Sequence, residues 1–518
     1  MKQIILNALI LLACCLCFTE CKKENLAEKP DKTNLTPADS TENSEDPDKK
    51  EEEEEKQDDT PLTNESELFY KLTNGVLQGA KEINVREFNI PTEKADSIYS
   101  SFLRNNPLLF HLKVVGNSGY RMDLENPEYL ATFIPQYSVS PTSFHQIYPL
   151  LEEAIEQFYS LLDYRMTPAE IAYTLYQKIC KEVIYGERNE EYPHWAYSAF
   201  SALGVFLPHK AVCQGYSLSY SLLLNGLGIK TNYVTGAIAG TPGHAWNRVY
   251  IDGEWYNADA TFDDASNNNF TTKSCINKYF LCSDDLFYTT FEHAKPHLNL
   301  DEQIYKKSGN KFDNEKCAIR GYNKKGEVIK TEAIYADGYW YYLSLKDEKM
   351  KIIKSDFNGQ HITELKQQNI FSKTGNVDKV QYTKDRIFFL DIIDNKYYIC
   401  SIDYDGNDFR QEQQISFTEA ADKDLKLTHD ESHPVHVFKG TVALKAELML
   451  ARLKLLYCHG DEDYFNLSNP QSKEVEKLIK DAEILLENHP KDDVQADILA
   501  QKIRNARKAY NQPVSMKP

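Results

Sequence analysis

The stretch GHAWNRVYIDGEWYNAD, residues 243–259, decides the fold of the part of the chain around it. Its centre, Asp252-Gly253, lies between two runs rich in apolar and aromatic residues, which is the pattern of a two-residue β-hairpin loop. With these two residues as the loop, Ile251 faces Glu254 across the hairpin. The sequence therefore predicts two antiparallel strands with a fixed register.

The predicted register brings a histidine close to an aspartate. Counting outward from the loop places Trp246 opposite Asp259, and His244, two residues earlier, shares the face of Trp246. His244 is then diagonal to Asp259, about 7–8 Å away between backbones, which is within side-chain reach. An imidazole held by a carboxylate keeps one tautomer and can pass a proton through its other nitrogen. Because a single histidine in a strand is more often a core residue, the pair needs a third group to indicate chemistry.

A cysteine upstream supplies that third group. The segment AVCQGY, residues 211–216, begins a helical pattern of apolar residues that ends at Gly226 and Gly228. Cys213 therefore falls in the first turn of a helix, where free backbone N–H groups and the positive end of the dipole favour a thiolate. A cysteine at a helix start together with an oriented histidine is the arrangement used in nucleophilic acyl chemistry.

From Trp195 to Asp264 the chain resembles the transglutaminase-like family, a part of the papain-like cysteine protease superfamily. The segments that carry the resemblance are KAVCQGY at 210–216, HAWN at 244–247, DGEWY at 252–256 and DATFDD at 259–264. The resemblance implies that Cys213 is the nucleophile, His244 the acid/base and Asp259 the residue that orients the imidazole. It also implies a core in which a helix with the cysteine packs on an antiparallel sheet with the histidine and the aspartate.

The resemblance further implies a reaction that passes through a thioester. The Cys213 thiolate attacks an amide carbonyl of a peptide bond or a glutamine side chain, and His244 protonates the leaving amine. Water then gives a protease or a deamidase, whereas an amine such as a lysine side chain gives a cross-link, and the sequence leaves both open. The backbone N–H of Cys213 is the default donor to the oxyanion, and the side chains of Tyr197 and Gln214 are two further candidates.

Two departures from the family pattern bear on specificity. Phe262 stands where members commonly have Trp, and residues 201–210, in a region that helps to shape the substrate cleft, form a longer stretch than usual. The substrate is therefore not carried over from the resemblance.

No cofactor or metal ion is predicted. The sequence has no Asp-rich twelve-residue calcium loop, and no CxxC pair occurs after Cys21. An odd number of cysteines follows Cys21, without the paired spacings of a disulfide framework or a zinc site. We therefore expect most of them, Cys213 apart, to be buried thiols.

The first 21 residues predict export. Lys2 precedes an apolar run that is too short to span a bilayer, which is typical of a secretory signal peptide. The cysteines that follow resemble the bacterial lipoprotein signal, with Cys14 and Cys21 as alternative lipid-anchored residues. Residues 22–66 contain 16 acidic and 7 basic residues and almost nothing apolar, so they predict a disordered linker. We expect a protein that is lipid-anchored in the bacterial cell envelope, at the surface or in the periplasm.

Composition, periodicity and the family resemblance together divide the rest of the chain into four domains, and the predicted fold class is α+β. The predicted domains are an N-terminal α/β extension at 67–165, a transglutaminase-like catalytic domain at 166–305, a β-repeat module at 310–420 and a helical bundle at 435–518. Two aromatic-rich segments, 335–342 and 382–389, lie 47 residues apart and resemble propeller blades. Three amphipathic patterns after Thr441 indicate a three-helix bundle.

The charge of the chain limits its partners. A formal net charge of −19 over 518 residues lacks the basic surface that nucleic-acid binding needs. The expected partner is a protein or peptide substrate, with a cell-surface or glycan partner as a further role for the two C-terminal modules. The alternative is a non-catalytic binding or adhesion protein that uses the same fold and these modules. An intact Cys, His and Asp set favours the enzyme.

Overall fold

The computed structural model describes most of residues 65–510. The residues left out within that range are 96–97, most of 100–118, 138–140, 188–197, 238–242, 265–276, 292, 294, 297–307, 347–348, 370–378, 423, 458–469 and 489–492. The predicted signal peptide with Cys14 and Cys21, and the predicted linker up to residue 64, lie outside the described residues. Among the described residues, no helix combines the length and the hydropathy needed to cross a membrane.

The chain divides into two compact units, Met1–Tyr70 and Lys71–Pro518. Of the first unit only residues 65–70 are described, and they are helical. The α-helices of the described part of the chain are Glu65–Leu77, Pro141–Tyr159, Pro168–Glu182, Leu203–Phe206, Cys213–Gly226, Ala260–Asp263, Phe417–Ala421, Gly440–Tyr457, Pro470–Glu487 and Asp493–Ala509. A turn of π-helix covers Asp285–Thr290.

The strands form several small sheets, and their pairing is antiparallel apart from one two-stranded parallel contact. In chain order within each sheet, the strands are Ile83–Asn84, Gly119–Met122 and Leu130–Ile134; Ile184–Tyr185 and Lys210–Ala211, which form the parallel pair; Thr231–Ala237, His244–Ile251, Glu254–Ala258 and Lys295–Pro296; Ile334–Ala336, Tyr339–Lys346, Lys349–Ser355 and Ile362–Asn369; and Val380–Tyr382, Arg386–Ile393, Lys396–Asp403 and Phe409–Ile415. Helices and antiparallel sheets occur together, so the predicted α+β class is confirmed.

The hairpin has the predicted register. Its ladder runs from Ile251 opposite Glu254 at the loop to Asn247 opposite Ala258 at the far end. The loop aspartate and glycine have φ angles of 52° and 87°, the positive values that a type I′ hairpin turn requires at both positions. The two-residue loop therefore fixes which residues share a face of the sheet.

A helix packs on this sheet through buried polar contacts as well as apolar ones. Asn247, in the strand His244–Ile251, donates to the backbone oxygen of Ser217 at 2.9 Å and to the hydroxyl of Ser221 at 2.8 Å. Both serines lie in the helix Cys213–Gly226. The implied core, a cysteine-bearing helix on an antiparallel sheet, is present.

The helix Pro168–Glu182 begins at a complete capping box. The side-chain oxygen of Thr167 accepts from the backbone N–H of Glu170, and Glu170 Oε2 accepts from the backbone N–H of Thr167 at 2.8 Å. Pro168 takes the first helical position, where its missing N–H leaves no partner unsatisfied. The other carboxylate oxygen, Glu170 Oε1, accepts from Trp340 Nε1 at 2.7 Å. This helix start is thus bonded to the strand Tyr339–Lys346.

The predicted 47-residue repeat is present as two four-stranded antiparallel sheets, the first blade with its strands between residues 334 and 369 and the second blade with its strands between residues 380 and 415. Their second strands begin at Tyr339 and Arg386, 47 residues apart, and each sheet has a register shift between its third and fourth strands. The blades share one apolar core, which includes Leu343 and Phe389. Each blade therefore buries one face against the other.

Three helices near the C-terminus pack around an apolar core that includes Leu444, Val475 and Ile503, as the amphipathic patterns predict. The fully buried Arg507 contacts carboxylates of this bundle and of the helix Pro141–Tyr159. The contacted residues are Glu447, at 3.0 Å, Glu152 and Glu156. A shared buried cation therefore ties the bundle to that helix.

Four of the remaining cysteines are free and buried, as expected for structural thiols. They are Cys180, Cys282, Cys317 and Cys400. Cys275 and Cys458 lie outside the described residues.

Candidate active site

Cys213 is the first residue of the helix Cys213–Gly226 and is half-buried. The preceding Val212 is extended and caps the helix with no side-chain hydrogen bond, so the first-turn N–H groups favour a negative charge beside the sulfur. The packing behind this turn depends on Gly215, because a Cβ there would lie 2.5 Å from the carbonyl oxygen of Ala199. Gly215, two residues after the cysteine, thus allows the helix to pack closely against the backbone of Ala199.

His244 lies between the cysteine and the aspartate. Its side chain is nearly buried at the first position of the strand His244–Ile251, and its Nε2 donates to Asp259 Oδ2 at 2.5 Å. Cys213 interacts with the same ring and contributes to raising the pKa of His244. Because Nε2 is engaged by the carboxylate, Nδ1 is the nitrogen available for proton exchange with the sulfur. The structure thus places the three predicted site residues together.

Asp259 is buried, and its two carboxylate oxygens have separate partners. Oδ1 accepts from the backbone N–H groups of Thr261 at 2.9 Å and Phe262 at 3.1 Å, so Asp259 is the N-cap of the short helix Ala260–Asp263. Oδ2 faces His244. An N-cap contact of this kind fixes the carboxylate as well as the helix, so the imidazole is held by a group that is itself immobile.

The protonation of the site follows from these contacts. Burial alone would lower the pKa of His244, but the charge of Asp259 and its hydrogen bond outweigh burial, and with a smaller contribution from Cys213 they raise the pKa to about 10. Burial would likewise raise the pKa of Asp259, but the positive charge of His244 holds that pKa well below its usual range. At neutral pH the arrangement therefore favours a protonated His244 imidazole paired with the ionised Asp259 carboxylate.

A second histidine contacts the same carboxylate, and no pattern in the sequence pointed to it. His293 Nε2 lies 2.8 Å from Asp259 Oδ2, and the His293 side chain is buried. Its ring stacks on Phe287 with centroids 4.1 Å apart, and its backbone N–H donates to the oxygen of Phe287 at 3.1 Å. Phe287 belongs to the π-helical turn Asp285–Thr290. A π-helical turn depends on tertiary packing more than on a local pattern, so the sequence alone offered no signal for this residue.

The two aspartates that end the motif DATFDD are structural. Asp263 is fully buried and accepts from the hydroxyl of Tyr176 at 2.7 Å and from the backbone N–H of Tyr279 at 2.9 Å. Burial raises the pKa of Asp263 to about 7. Asp264 accepts from the hydroxyl of Tyr216 at 2.6 Å. These contacts hold the segment after Asp259 against the two helices of the core.

Three side chains come into question as hydrogen-bond donors to an oxyanion at Cys213, and the structure describes the positions of two of them. Tyr197 lies outside the described residues, and Gln214 is half-buried beside Cys213. Tyr185, which the sequence did not single out, is 43% exposed. Burial raises the pKa of Tyr185, and the charges of Cys213 and Asp259 raise it further. This tyrosine therefore lies near Cys213, at the edge of the site.

The stretch 201–210 lies largely in the core. Residues 201–206 are buried, and the ring of Phe206 packs edge-on against Phe158 with centroids 5.4 Å apart. Only residues 207–210 are partly exposed. The extra length of this stretch therefore fills the interior more than it shapes the cleft.

Two imidazoles and one carboxylate are also a donor set that zinc accepts. The donor atoms of His244, Asp259 and His293 lie within 4.8 Å of one another. However, both Nε2 atoms face the carboxylate oxygen directly, at 2.5 and 2.8 Å, which are distances of charge-assisted hydrogen bonds. These two short contacts account for the arrangement of the three side chains without an ion.

Comparison with known proteins bears on the same region. Residues 160–260 match the model of the Transglutaminase-like superfamily. Among solved structures, the chain is similar to one described as a TGase, with 18% identity over 28% of this chain and 43% of that chain, and a TM-score of 0.19. The chain thus spans less than half of that relative, and the assignment rests on the family model. No curated protein matches the chain.

The family match covers the cysteine helix and both strands of the hairpin, and so all three residues of the thiol, imidazole and carboxylate set. It also supports a papain-like, cysteine-protease-type or transglutaminase-like function at the level of the class. This part of the chain is a domain of the transglutaminase-like superfamily.

Proposed function

We propose that this protein is a thiol acyl-transfer enzyme in which Cys213 attacks an amide carbonyl of a protein or peptide. The observation that carries the proposal is the grouping of Cys213, His244 and Asp259, in which His244 Nε2 lies 2.5 Å from Asp259 Oδ2 and Cys213 interacts with the same imidazole. A nucleophile, a base and a group that orients the base are the three parts that such catalysis needs. The transglutaminase-like domain supports the same class.

In the first half of the proposed reaction, the sulfur of Cys213 bonds to the carbonyl carbon and the carbonyl oxygen becomes an oxyanion. The backbone N–H of Cys213, at a helix start without a side-chain cap, is the donor best placed to stabilise that charge. The C–N bond then breaks, and His244 gives its proton to the leaving amine. The products are a free amine and a thioester on Cys213, while Asp259 keeps the imidazole oriented.

In the second half, His244 takes a proton from an incoming water or amine, which attacks the thioester carbonyl. The C–S bond breaks and the Cys213 thiolate is restored. Water yields a carboxylic acid, so the outcome is peptide hydrolysis or deamidation. A primary amine yields a new amide, so the outcome is a cross-link. Both outcomes belong to the proposed class.

The proposal includes a location. The apolar leader and the cysteines after it support export and lipid anchoring at Cys14 or Cys21 in a bacterial envelope. The charged linker, residues 22–66, supports an extended tether that holds the enzyme away from the membrane. The two blades and the helical bundle are proposed to contact a cell-surface or glycan partner.

We expect an acyl adduct on Cys213 when the full-length protein is mixed with casein peptides and a fluorescent primary amine. Intact-mass analysis with peptide mapping should find the adduct in wild type and not in Cys213→Ala. Cys400→Ala, which removes a buried thiol of the second blade, is the matched control and should behave as wild type. Turnover of the peptides by Cys213→Ala at the wild-type rate would rule out the proposed nucleophile. Comparison of hydrolysed and amine-linked peptides identifies the second acceptor.

We expect the reactivity of Cys213 to depend on pH in a way that follows His244. Because the pKa of His244 is raised to about 10, its imidazolium keeps a positive charge in the site at neutral pH, and that charge is lost as the pH rises through that value. Iodoacetamide should therefore modify Cys213 about 10-fold faster than a model thiol at pH 7, where an ordinary cysteine of pKa near 8.5 is only slightly ionised. The advantage should disappear above about pH 10.

The control for this pH profile is a second histidine–aspartate pair. His361 is exposed, and its Nδ1 lies 2.7 Å from Asp356 Oδ2 in the first blade. His244→Ala should remove the rate advantage at pH 7, whereas His361→Ala should keep it. Equal rates for Cys213 and the model thiol, measured by peptide mapping, would contradict the proposed ion pair.

A further inference from the structure

One carboxylate oxygen of Asp259, Oδ2, contacts the imidazole rings of two histidines. Oδ1 is occupied by backbone N–H groups of the short helix that it caps. Oδ2 lies 2.5 Å from His244 Nε2 and 2.8 Å from His293 Nε2. The three side chains are all buried. In a site shielded from water each contact to this oxygen weighs more than it would at the surface, so the second imidazole affects the group that orients the first.

His293 is itself held in place. Its ring stacks on Phe287 at 4.1 Å with an interplanar angle of 14°, and Phe262 packs against it with centroids 4.8 Å apart. The backbone hydrogen bond to Phe287 fixes the chain at the same point. A ring fixed on two sides presents its Nε2 to Asp259 in one orientation. His293 is therefore placed to hold the Asp259 carboxylate in position, because the contact between Nε2 and Oδ2 already exists in the structure.

We propose that His293 is a positioning residue, which holds the Asp259 carboxylate ionised and directed at His244, so that the site has four members. The proposal rests on the proposed function of Cys213. His293 Nε2 lies 2.8 Å from Oδ2, and this contact lowers the pKa of Asp259 and so helps to keep the buried carboxylate charged. His293 acts on the reaction through Asp259.

Two substitutions separate the donor from the ring. His293→Phe keeps an aromatic ring on Phe287 and removes the N–H donor. His293→Gln keeps an N–H donor at nearly the position of Nε2 and removes the ring. If the donor is what matters, iodoacetamide should modify Cys213 about 10- to 100-fold more slowly in His293→Phe at pH 7, since a small misplacement of a catalytic group costs rates of this order. His293→Gln should recover most of the loss.

The pH profile tells positioning from general damage to the fold. A loosened Asp259 stabilises the His244 imidazolium less, so the alkaline end of the reactive range should move to lower pH in His293→Phe than in His293→Gln. A residue that only fills space would lower the unfolding temperature in both variants and leave this limit unchanged. His361→Phe makes the same chemical change at an exposed histidine–aspartate pair and should leave both the rate and the limit as in wild type.

The outcomes distinguish this inference from the function it rests on. If wild-type Cys213 reacts no faster than a model thiol, the proposed function fails. If wild type is reactive and His293→Phe matches it in rate and in pH limit, only the role of His293 is overturned. Dialysis of wild type against EDTA should change nothing, and a change in reactivity on chelation would replace the hydrogen-bonded arrangement with a bound ion and overturn the proposal.

Discussion

Replacement of Asp259 by Asn is expected to lower the rate of acyl transfer about 10³- to 10⁴-fold while the protein remains folded. The two side chains have nearly the same shape. The oxygen that caps the helix Ala260–Asp263 can be kept, because its partners are the backbone N–H groups of Thr261 and Phe262. The change therefore acts on the other oxygen, which faces His244 at 2.5 Å.

The physical reason for the loss is the direction of one hydrogen bond. The new amide presents N–H groups to His244, so the imidazole must accept at Nε2 and carry its proton on Nδ1, the nitrogen otherwise available to Cys213. A base protonated on that side cannot take a proton from the thiol. The loss of the carboxylate charge also removes what raises the pKa of His244.

The measurement is the rate of amide turnover together with the iodoacetamide rate at Cys213. Asp356→Asn is the matched control, because Asp356 also faces a histidine, His361, but at an exposed site. It should leave both rates unchanged. An Asp259→Asn protein within about tenfold of the wild-type rate would show that the carboxylate does not orient the base.

Replacement of Arg320 by Met is expected to destabilise the protein by about 3–5 kcal/mol, since it leaves several buried acceptors without their donor. Arg320 is 1% exposed, and its guanidinium donates to backbone oxygens on both sides of it. The acceptors are Phe312 at 3.1 Å, Lys278 at 3.1 Å, Phe280 at 2.8 Å, Leu281 at 3.3 Å and the sulfur of Cys282 at 3.3 Å. Methionine fills part of the volume but donates to none of them.

This loss of stability should reach the active site. The backbone of Tyr279, within the segment that Arg320 holds, donates to Asp263 at 2.9 Å and accepts from the backbone N–H of Asp259 at 3.2 Å. Arg320→Met should therefore lower the iodoacetamide rate at Cys213 as well as the midpoint of urea unfolding.

The control for Arg320 is an arginine at the surface. Arg121 pairs with Glu82 at 2.6 Å, and both side chains are about half exposed, so Arg121→Met should change the free energy of unfolding by less than about 1 kcal/mol. A similar small change for Arg320→Met would mean that water replaces the guanidinium without loss.

The local parts of the site were accessible from the sequence because each rests on a short-range rule. A two-residue loop sets the register of a hairpin, and the register sets which residues share a face, so the neighbourhood of His244 and Asp259 follows from counting. Cys213 follows from the helix pattern that starts at it. The 47-residue offset between the blades is of the same kind, because repeated strands carry repeated turns.

The contacts that join distant segments were not accessible in this way. His293 reaches Asp259 after a π-helical turn, and its place is set by the stacking on Phe287. Arg320 is one of many arginines in the chain, and only the fold shows that its partners are backbone oxygens. Side-chain contacts between distant segments produce no periodic pattern in the sequence, so only the three-dimensional structure shows them.

The bond between Glu170 and Trp340 has a consequence for how this protein can change over generations. A single carboxylate closes the first turn of the helix Pro168–Glu182 with one oxygen and holds the indole of the first blade with the other, while Tyr173 of that helix packs against the same indole at 5.2 Å. Recombination that replaced the blades with an unrelated module would leave Glu170 Oε1 without the donor Trp340 and would expose the ring of Tyr173. The two parts are therefore expected to be inherited together, as one unit of selection.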